Sequence, residues 1–231
     1  AASSDYPLRD VYKRQPMNQL LLSFMLIGLV RNLGCQIPVE VFAGQSKTTV
    51  DIMFFRFFKK DQETSPWLFF NRNRASIDYR MTDSAYLPLF GFTEAISYNH
   101  RKLRGFAPVA LGQVLSYGVF AKTGIQYAYI RPDFTVFTWL VTETRRNPDL
   151  DFFILLRYTP QLTGSWRLFT QYEGLQSVPS SSSKPLQITQ RLRVGLQHGA
   201  FQLGAGADFS QTMRPHVTHP PNIGAFIRRE F

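Results

Sequence analysis

The chain has 231 residues, of which 44% are hydrophobic and 15% aromatic, enough apolar material for one domain with a substantial core. Its formal charge of +10 suggests an anionic partner, but the basic residues are spread singly along the chain, which argues against nucleic-acid binding. The single cysteine, Cys35, excludes an internal disulfide, and the four histidines show no metal-ligand spacing. We therefore expect no metal and no cofactor.

The first 36 residues are expected to lie outside the folded domain. Residues 1–16 lack periodicity and precede Met17, so we interpret them as a non-native leader. From Leu20 to Val30 runs an apolar stretch of eleven residues. It is too short for a membrane helix, which needs about 20 residues, but is typical of a secretory signal peptide. We predict a signal peptide over residues 17–36, with Cys35 either a small residue near the cleavage site or a lipidation site.

From residue 37 onward, alternating segments of about ten residues are separated by turn residues, a pattern typical of β-strands. Twelve strands are predicted: Val39–Ala43, Thr48–Phe58, Trp67–Tyr79, Tyr86–Asn99, Phe106–Leu115, Val119–Ile130, Phe134–Glu143, Leu150–Tyr158, Trp166–Gly174, Leu186–Gln197, Phe201–Phe209 and Ile223–Phe231. Residues 37–231 are thus expected to form one all-β domain, an antiparallel up-and-down barrel. Ten strands is the alternative, with two N-terminal segments as loop or plug.

The clearest alternation is in Leu186–Gln197, where apolar residues occupy nearly every even position and polar residues the odd ones. Such a strand fits a soluble barrel with an apolar core, or a transmembrane barrel whose apolar stripe faces lipid. Tyrosine and tryptophan near strand ends, among them Tyr129, Trp139 and Tyr158, favour the membrane because aromatic belts mark its interfaces. The secretory apolar run points the same way.

The final strand ends on Phe231, with Ala225 and Ile227 in its apolar stripe, and resembles the C-terminal assembly signal of bacterial outer-membrane β-barrel proteins. Residues 38–231 also resemble barrel proteins common in Bacteroidota, through Phe54–Phe58, residues 69–74 and Gly204–Phe209. The resemblance implies a transmembrane barrel in the bacterial outer membrane. Its expected partners are membrane lipid and the barrel-assembly machinery.

The polar strand faces supply the candidate functional residues. If the apolar faces meet lipid, eight basic side chains line the lumen, namely Arg72, Arg74, Lys122, Arg157, Arg167, Arg191, Arg193 and Arg228. Four acidic side chains face them: Asp78, Glu173, Asp208 and Glu230. A basic lumen favours small anionic solutes, as in a small porin-like channel. The alternative is a structural barrel whose lumen is filled by ion pairs.

Two other functional classes were considered, and neither is favoured. An outer-membrane lipid-modifying hydrolase needs a nucleophile beside a base, and the nearest assembly is Ser97, Asn99 and His100. This stretch is more typical of a strand end and turn, so we predict no enzyme activity. His216 and His219 share a proline-containing loop, where solvated side chains are expected rather than metal ligands. A soluble lipocalin-like barrel that binds an apolar ligand is the second alternative.

Overall fold

The computed structural model of the chain describes residues 37–60, 63–80, 88–145, 148–181, 185–213, 217–218 and 220–231. The predicted leader and signal peptide, Cys35, His216 and His219 lie outside these ranges. In the part of the chain that is described, no helix has both the length and the apolar character needed to cross a membrane.

Fourteen strands make up most of the described chain. They are β1 (Pro38–Gly44), β2 (Lys47–Lys60), β3 (Glu63–Asp78), β4 (Leu89–Tyr98), β5 (Phe106–Leu115), β6 (Gly118–Ile130), β7 (Phe134–Glu143), β8 (Leu150–Tyr158), β9 (Gln161–Thr163), β10 (Trp166–Val178), β11 (Leu186–His198), β12 (Phe201–Met213), β13 (Val217–Thr218) and β14 (Asn222–Glu230). Strands β9 and β13 are short additions that pair only with β10 and β12 respectively. The other twelve strands form the wall.

The wall is closed. Consecutive wall strands pair antiparallel in chain order, and β1 pairs with β14, for example through Val41 opposite Ile227. A closed wall has no free strand edge, which is the condition for a β-structure to cross a membrane. The prediction of an antiparallel barrel with twelve rather than ten strands is confirmed, including the short first strand. We call the end where Pro38 lies beside Glu230 the terminal end, and the opposite end the loop end.

Several strands are longer than predicted. The predicted break before Trp67 is wrong, because β3 begins at Glu63 and continues through Pro66. The register between β2 and β3 shifts in this region, next to Phe57, and this irregularity accommodates a proline that has no N–H to donate. Strand β10 continues beyond Gly174 to Val178, and β12 continues beyond Phe209 to Met213. Strand β4 begins at Leu89 rather than Tyr86, which lies outside the described residues.

The outer face is largely apolar and carries an aromatic belt at the terminal end. Trp67 and Tyr98 are in edge contact at 5.0 Å between ring centroids, and Phe134 lies 6.3 Å from both Tyr129 and Tyr158. Apolar side chains on the outside of a closed barrel, bounded by aromatic rings, are the surface of a transmembrane barrel. The chain therefore forms a membrane-spanning wall in which the predicted stripe of β11, Leu192 and its neighbours, faces outward.

The inner face is packed. The largest fully buried side chains of the described residues are phenylalanines that point into the lumen, including Phe42, Phe137, Phe169 and Phe226. The predicted place of Trp139 in the outer belt is wrong, since only 5% of its surface is exposed and it belongs to the interior cluster. Strand β7 is apolar on both faces, so its composition did not reveal which face points inward.

Candidate functional site

The strand register places the predicted lumen residues on the inner face. All eight predicted cations and four predicted anions have the same strand parity as buried inner residues, and Lys122, Arg193, Arg228, Glu173 and Asp208 are themselves buried. Outward-facing residues alternate with them along β10, β11 and β12. The role of these residues in selectivity for anionic solutes stays a prediction.

Four further acidic residues line the same face and were not anticipated: Glu40, Asp51, Glu143 and Asp151, each no more than 6% exposed. They bring the acidic residues on the described inner face to eight, against the eight predicted cations and Lys47, which lies opposite Asp78 on the same face. Glu40 lies on the short β1, and Asp51 lies on β2, where aromatic residues occupy both faces and obscure the alternation. The lumen is therefore close to electrically balanced rather than strongly basic.

An ion pair joins opposite walls of the barrel. Arg72 of β3 contacts Asp51 of the neighbouring strand at 2.7 Å and Glu173 of β10 at 2.6 Å. Strands β3 and β10 have five wall strands between them in either direction, so this contact crosses the lumen. Arg74 also pairs with Asp51 and lies 3.8 Å from Glu173. A side chain from each wall is enough to bridge the interior, so the barrel is narrow at this level.

The network continues along the other wall. Arg191 lies 3.3 Å from Glu173 and 3.9 Å from Asp208. Arg193 contacts Asp208 at 2.8 Å and reaches Glu40 of β1 at 2.9 Å. Each carboxylate therefore receives at least one guanidinium group, and the two arginines connect β10, β12 and β1 through the lumen.

The contacts close into a circuit through β14 and β10. Arg228 lies 2.9 Å from Glu40 and donates to the side-chain oxygen of Gln171 at 3.1 Å. The Gln171 amide in turn donates to Glu173 at 2.7 Å. We call this circuit, together with Asp51, Arg72 and Arg74, the central ion network. Buried charges are tolerated only when such partners replace the lost water, so each member depends on the others.

Next to the network, aromatic rings from opposite sides of the lumen are in contact. Phe55 of β2 lies 4.7 Å from Phe137 of β7, although four wall strands separate them. Phe137 stacks on Phe70 at 5.4 Å, and Trp139 meets the edge of Phe70 at 5.0 Å. With Phe153, 5.0 Å from Trp139, these rings form the lumen aromatic cluster. They occupy the half of the lumen lined by β2 to β8.

Cations of the network lie on the remaining inner rings. The Arg193 guanidinium is 3.9 Å from the centre of the Phe42 ring, and that of Arg228 is 5.0 Å from Phe169. Phe169 in turn contacts Phe226 at 5.7 Å. A cation over a ring face gains electrostatic stabilisation that increases where water is excluded. The ionic and aromatic parts thus pack against one another, and the described lumen is filled by side chains at mid-height.

A second charged group lies toward the loop end. Lys122 pairs with Asp151, which also accepts a hydrogen bond from Ser177 at 2.7 Å. Glu143, on the next strand, pairs with Arg145. In the adjoining turn, partial burial raises the pKa of the Tyr117 phenol above its ordinary value, and nearby carboxylates act in the same direction. This mouth of the barrel is therefore more acidic than the sequence suggested.

The two arginines nearest the terminal end have neutral partners. Arg157 donates to the side-chain oxygen of Gln171 at 2.9 Å. Arg167 donates to the backbone oxygen of Thr159 at 2.8 Å and to that of Pro132 at 3.2 Å. Since none of these acceptors carries a charge, the positive charge of the two arginines is less compensated here than in the central network.

The predicted hydrolase residues do not form a nucleophile and base. Ser97 is 1% exposed inside the lumen, and its hydroxyl accepts hydrogen bonds from Asn99 at 2.9 Å and Gln126 at 2.6 Å. His100 accepts from the Lys102 backbone at 3.3 Å, at the start of the 3-10 turn Arg101–Leu103, and stacks on Tyr98. Within the described residues, no group of three or more metal-ligating side chains is present.

The predicted assembly residues lie on the outer face of the last strand. Ala225 and Ile227 are exposed there, and Phe231 follows at the terminal end. Arg229 interrupts this stripe, but its guanidinium lies 4.6 Å from the Phe231 ring and 5.0 Å from Phe201. The charge is thus held at the rim, where a lipid-facing cation costs only about 0–1 kcal/mol.

Comparison with known proteins gives only distant structural likenesses. No protein-family model matches the chain, and no curated protein matches it. The KdgM porin superposes with a TM-score of 0.49 at 10% sequence identity, covering 85% of this chain and 99% of the porin. The NanC porin gives a TM-score of 0.49 at 8% identity, with 86% and 99% covered. OmpT of Vibrio cholerae gives 0.35 at 9% identity, with 85% and 95% covered. The strand pairing itself establishes the barrel, and likenesses at this level say nothing about solutes or mechanism.

Proposed function

We propose that the protein is a porin-like barrel of the bacterial outer membrane whose lumen is closed by its own side chains. The observation that supports this proposal is the direct contact between opposite walls, Arg72 with Glu173 and Phe55 with Phe137. Eight-stranded barrels are narrow enough for side chains to fill, whereas barrels of about 16 strands leave an aqueous channel. A twelve-stranded wall bridged in this way conducts small ions only when these contacts open.

Placement in the outer membrane is supported by the closed wall, the apolar outer face and the aromatic belt. In this setting the expected partners are membrane lipid and, through Ala225, Ile227 and Phe231, the barrel-assembly machinery. The resemblance to Bacteroidota barrel proteins remains a prediction. We propose no enzymatic role, because Ser97 is buried and bonded to two amides. A lipocalin-like function is not supported, since protein side chains occupy the described interior.

Selectivity for small anions is proposed to reside at the terminal end. The central network pairs its charges, so its field is largely cancelled. Arg157 and Arg167, which bond to neutral acceptors, outnumber Glu230, the inward carboxylate at the same end, and leave the terminal end of the lumen net positive. A confined positive potential favours anions over cations. The expected preference is modest, because two arginines rather than a continuous ring supply it.

Planar-bilayer recordings test the closed state and the selectivity together. Wild type should show rare, small openings, whereas Phe137→Ala with Trp139→Ala should raise conductance severalfold by emptying the aromatic half. Phe152→Ala, on the lipid-facing side of β8, is the matched control and should leave conductance unchanged. In the opened variant, Arg157→Gln with Arg167→Gln should shift the reversal potential in a KCl gradient toward zero.

Two results would contradict the proposal. A large steady conductance in wild type would show that the lumen is open, and no conductance in the opened variant would favour a purely structural barrel. Insertion is checked separately, by the heat-dependent gel mobility that is characteristic of folded membrane barrels. A chain that stays monomeric in buffer without detergent would exclude a membrane barrel altogether.

A further inference from the structure

A polar cluster lies at mid-height on the outer face of the barrel, outside the lumen. By the strand register, Asn71, Asn73 and Glu94 project outward, opposite to the inward Arg72 and Thr93. The Asn71 amide donates to the Glu94 carboxylate at 3.4 Å, and the Asn73 amide donates to the Asn71 oxygen at 3.2 Å. We call these three residues the outer polar patch.

The patch lies at the level of the lipid hydrocarbon. On β3 it is flanked by the belt residue Trp67 toward the terminal end and by the exposed Ile77 toward the loop end. Asn71 is only 1% exposed and is satisfied within the chain, but Glu94 is exposed on the outer face. A charged group that faces lipid at mid-membrane destabilises a barrel, a basic residue more than an acidic one. Glu94 therefore calls for a polar partner outside the chain.

The neighbouring strand leaves room for such a partner. Gly112 of β5 is directly paired with Glu94, and a methyl group built on it would meet nothing within 4 Å. Ala110 lies two residues away on the same outer face. Small residues at a membrane-facing surface let a second backbone approach closely, and polar side chains beside them bond across the interface. The two features together form a shallow depression with a carboxylate at its edge.

We propose that the outer wall of β3–β5 is the contact surface of a two-fold dimer of this chain within the membrane. The patch contains a strong exposed acceptor, Glu94, and an amide donor, Asn73, which is half-buried and uses one of its two N–H groups on Asn71, so it is complementary to itself. A two-fold axis brings the same patch of both copies together, and each Glu94 then receives the remaining N–H of Asn73 from the other copy. The proposal rests on the membrane insertion proposed above, and uses no feature of the lumen.

Cysteine cross-linking in native membranes tests this contact. In a Cys35→Ser background, Gly112→Cys should give an oxidised product of twice the chain mass. Ala205→Cys, on the lipid-facing side of β12, is the matched control and should give background yield. Adding Glu94→Leu to the Gly112→Cys chain should reduce the product to background, because the polar contact is lost. Ala110→Leu, which fills the depression without touching the patch, should do the same.

The outcomes separate this proposal from the previous one. Equal products at positions 112 and 205, or a Gly112→Cys product that survives both Glu94→Leu and Ala110→Leu, would overturn the dimer. A product of a different mass would identify another membrane protein as the occupant and would likewise overturn it. Each variant must retain the heat-dependent gel mobility of the wild type. Absence of this shift in wild type refutes membrane insertion, whereas a normal shift without a cross-link refutes only the dimer.

Discussion

The inner face of β2–β8, which we call the aromatic wall, and that of β10–β14, which we call the ionic wall, differ in the side chains that they place in the lumen. In the ionic wall, charged residues such as Glu173 and Arg193 fill the lumen, and the outer face is largely apolar. In the aromatic wall most inward side chains are apolar, as Leu68 and Phe70 are, with Asp51, Arg72 and Arg74 as the charged members. The polar Asn71 and Glu94 lie on its outer face. The barrel is therefore not uniformly polar inside and apolar outside, and each wall has its own arrangement of polar and apolar side chains.

The difference implies different tolerance to substitution. Packing among apolar rings depends on volume and shape, and a side chain of similar size can replace another with a small loss. A buried ion network depends on charge, so a neutral side chain of the same shape leaves its partners uncompensated. Conservative substitutions should therefore cost more in the ionic wall than in the aromatic one.

The largest effect is expected for Glu173→Gln. The substitution keeps the shape of the side chain but removes a charge that lies within 4.0 Å of Arg72, Arg74 and Arg191. Removing one partner of a buried ion pair typically destabilises by about 3–5 kcal/mol. Urea unfolding in lipid vesicles, followed by tryptophan fluorescence, measures this loss. A change below about 1 kcal/mol would mean that water reaches the network and screens it.

A smaller effect is expected for Phe137→Leu in the aromatic wall. Leucine retains most of the buried apolar volume, so the free energy of unfolding should fall by about 1.5 kcal/mol or less. The same unfolding experiment gives the value, and Phe137→Ala serves as a reference with an expected loss of about 3–5 kcal/mol. If leucine proved as damaging as alanine, ring contact with Phe70 would matter more than volume, and the contrast between the walls would disappear.

The difference between the two walls also explains which features of the fold could be predicted from the sequence. Strands with one polar and one apolar face, such as Leu186–His198, revealed both their extent and their orientation, because alternation has a single interpretation once the outer face is known. In β2 the run from Phe54 to Phe58 places aromatic rings on both faces, and in β7 both faces are apolar. There the strands were found, but their inward residues, including Phe55 and Phe137, were not.

The residues of the candidate site also differed in how far they could be predicted, according to the alternation of their strands. Arg191 and Arg193 could be placed from sequence because they stand on a clear polar face. Glu40 and Asp51 were missed because their strands show little alternation. Contacts across the lumen, such as Arg72 with Glu173, join residues 101 positions apart, and no local pattern reports the width of a barrel. The outer polar patch was missed for a related reason, since Asn71 and Glu94 are polar residues on the outer face, where apolar residues were expected.

The last prediction concerns Gln190, a polar residue on the lipid-facing stripe of β11 in the ionic wall. Gln190 of β11 projects outward between Gly174 and Phe209 and is exposed. Gln190→Leu should raise the free energy of unfolding by roughly 1 kcal/mol, because an amide leaves the hydrocarbon and an apolar side chain takes its place. Unfolding in vesicles measures the gain.

Asn71→Leu, the equivalent change in the aromatic wall, is the control for Gln190→Leu. Asn71 is buried and hydrogen-bonded to Glu94, so its removal should destabilise the barrel or leave it unchanged. Stabilisation by both substitutions would show that the outer polar patch is simply a cost to the barrel. Stabilisation by Gln190→Leu alone would show that the two walls differ on their outer faces as well as inside. It would also show that the hydrogen bond between Asn71 and Glu94 contributes to the stability of the barrel.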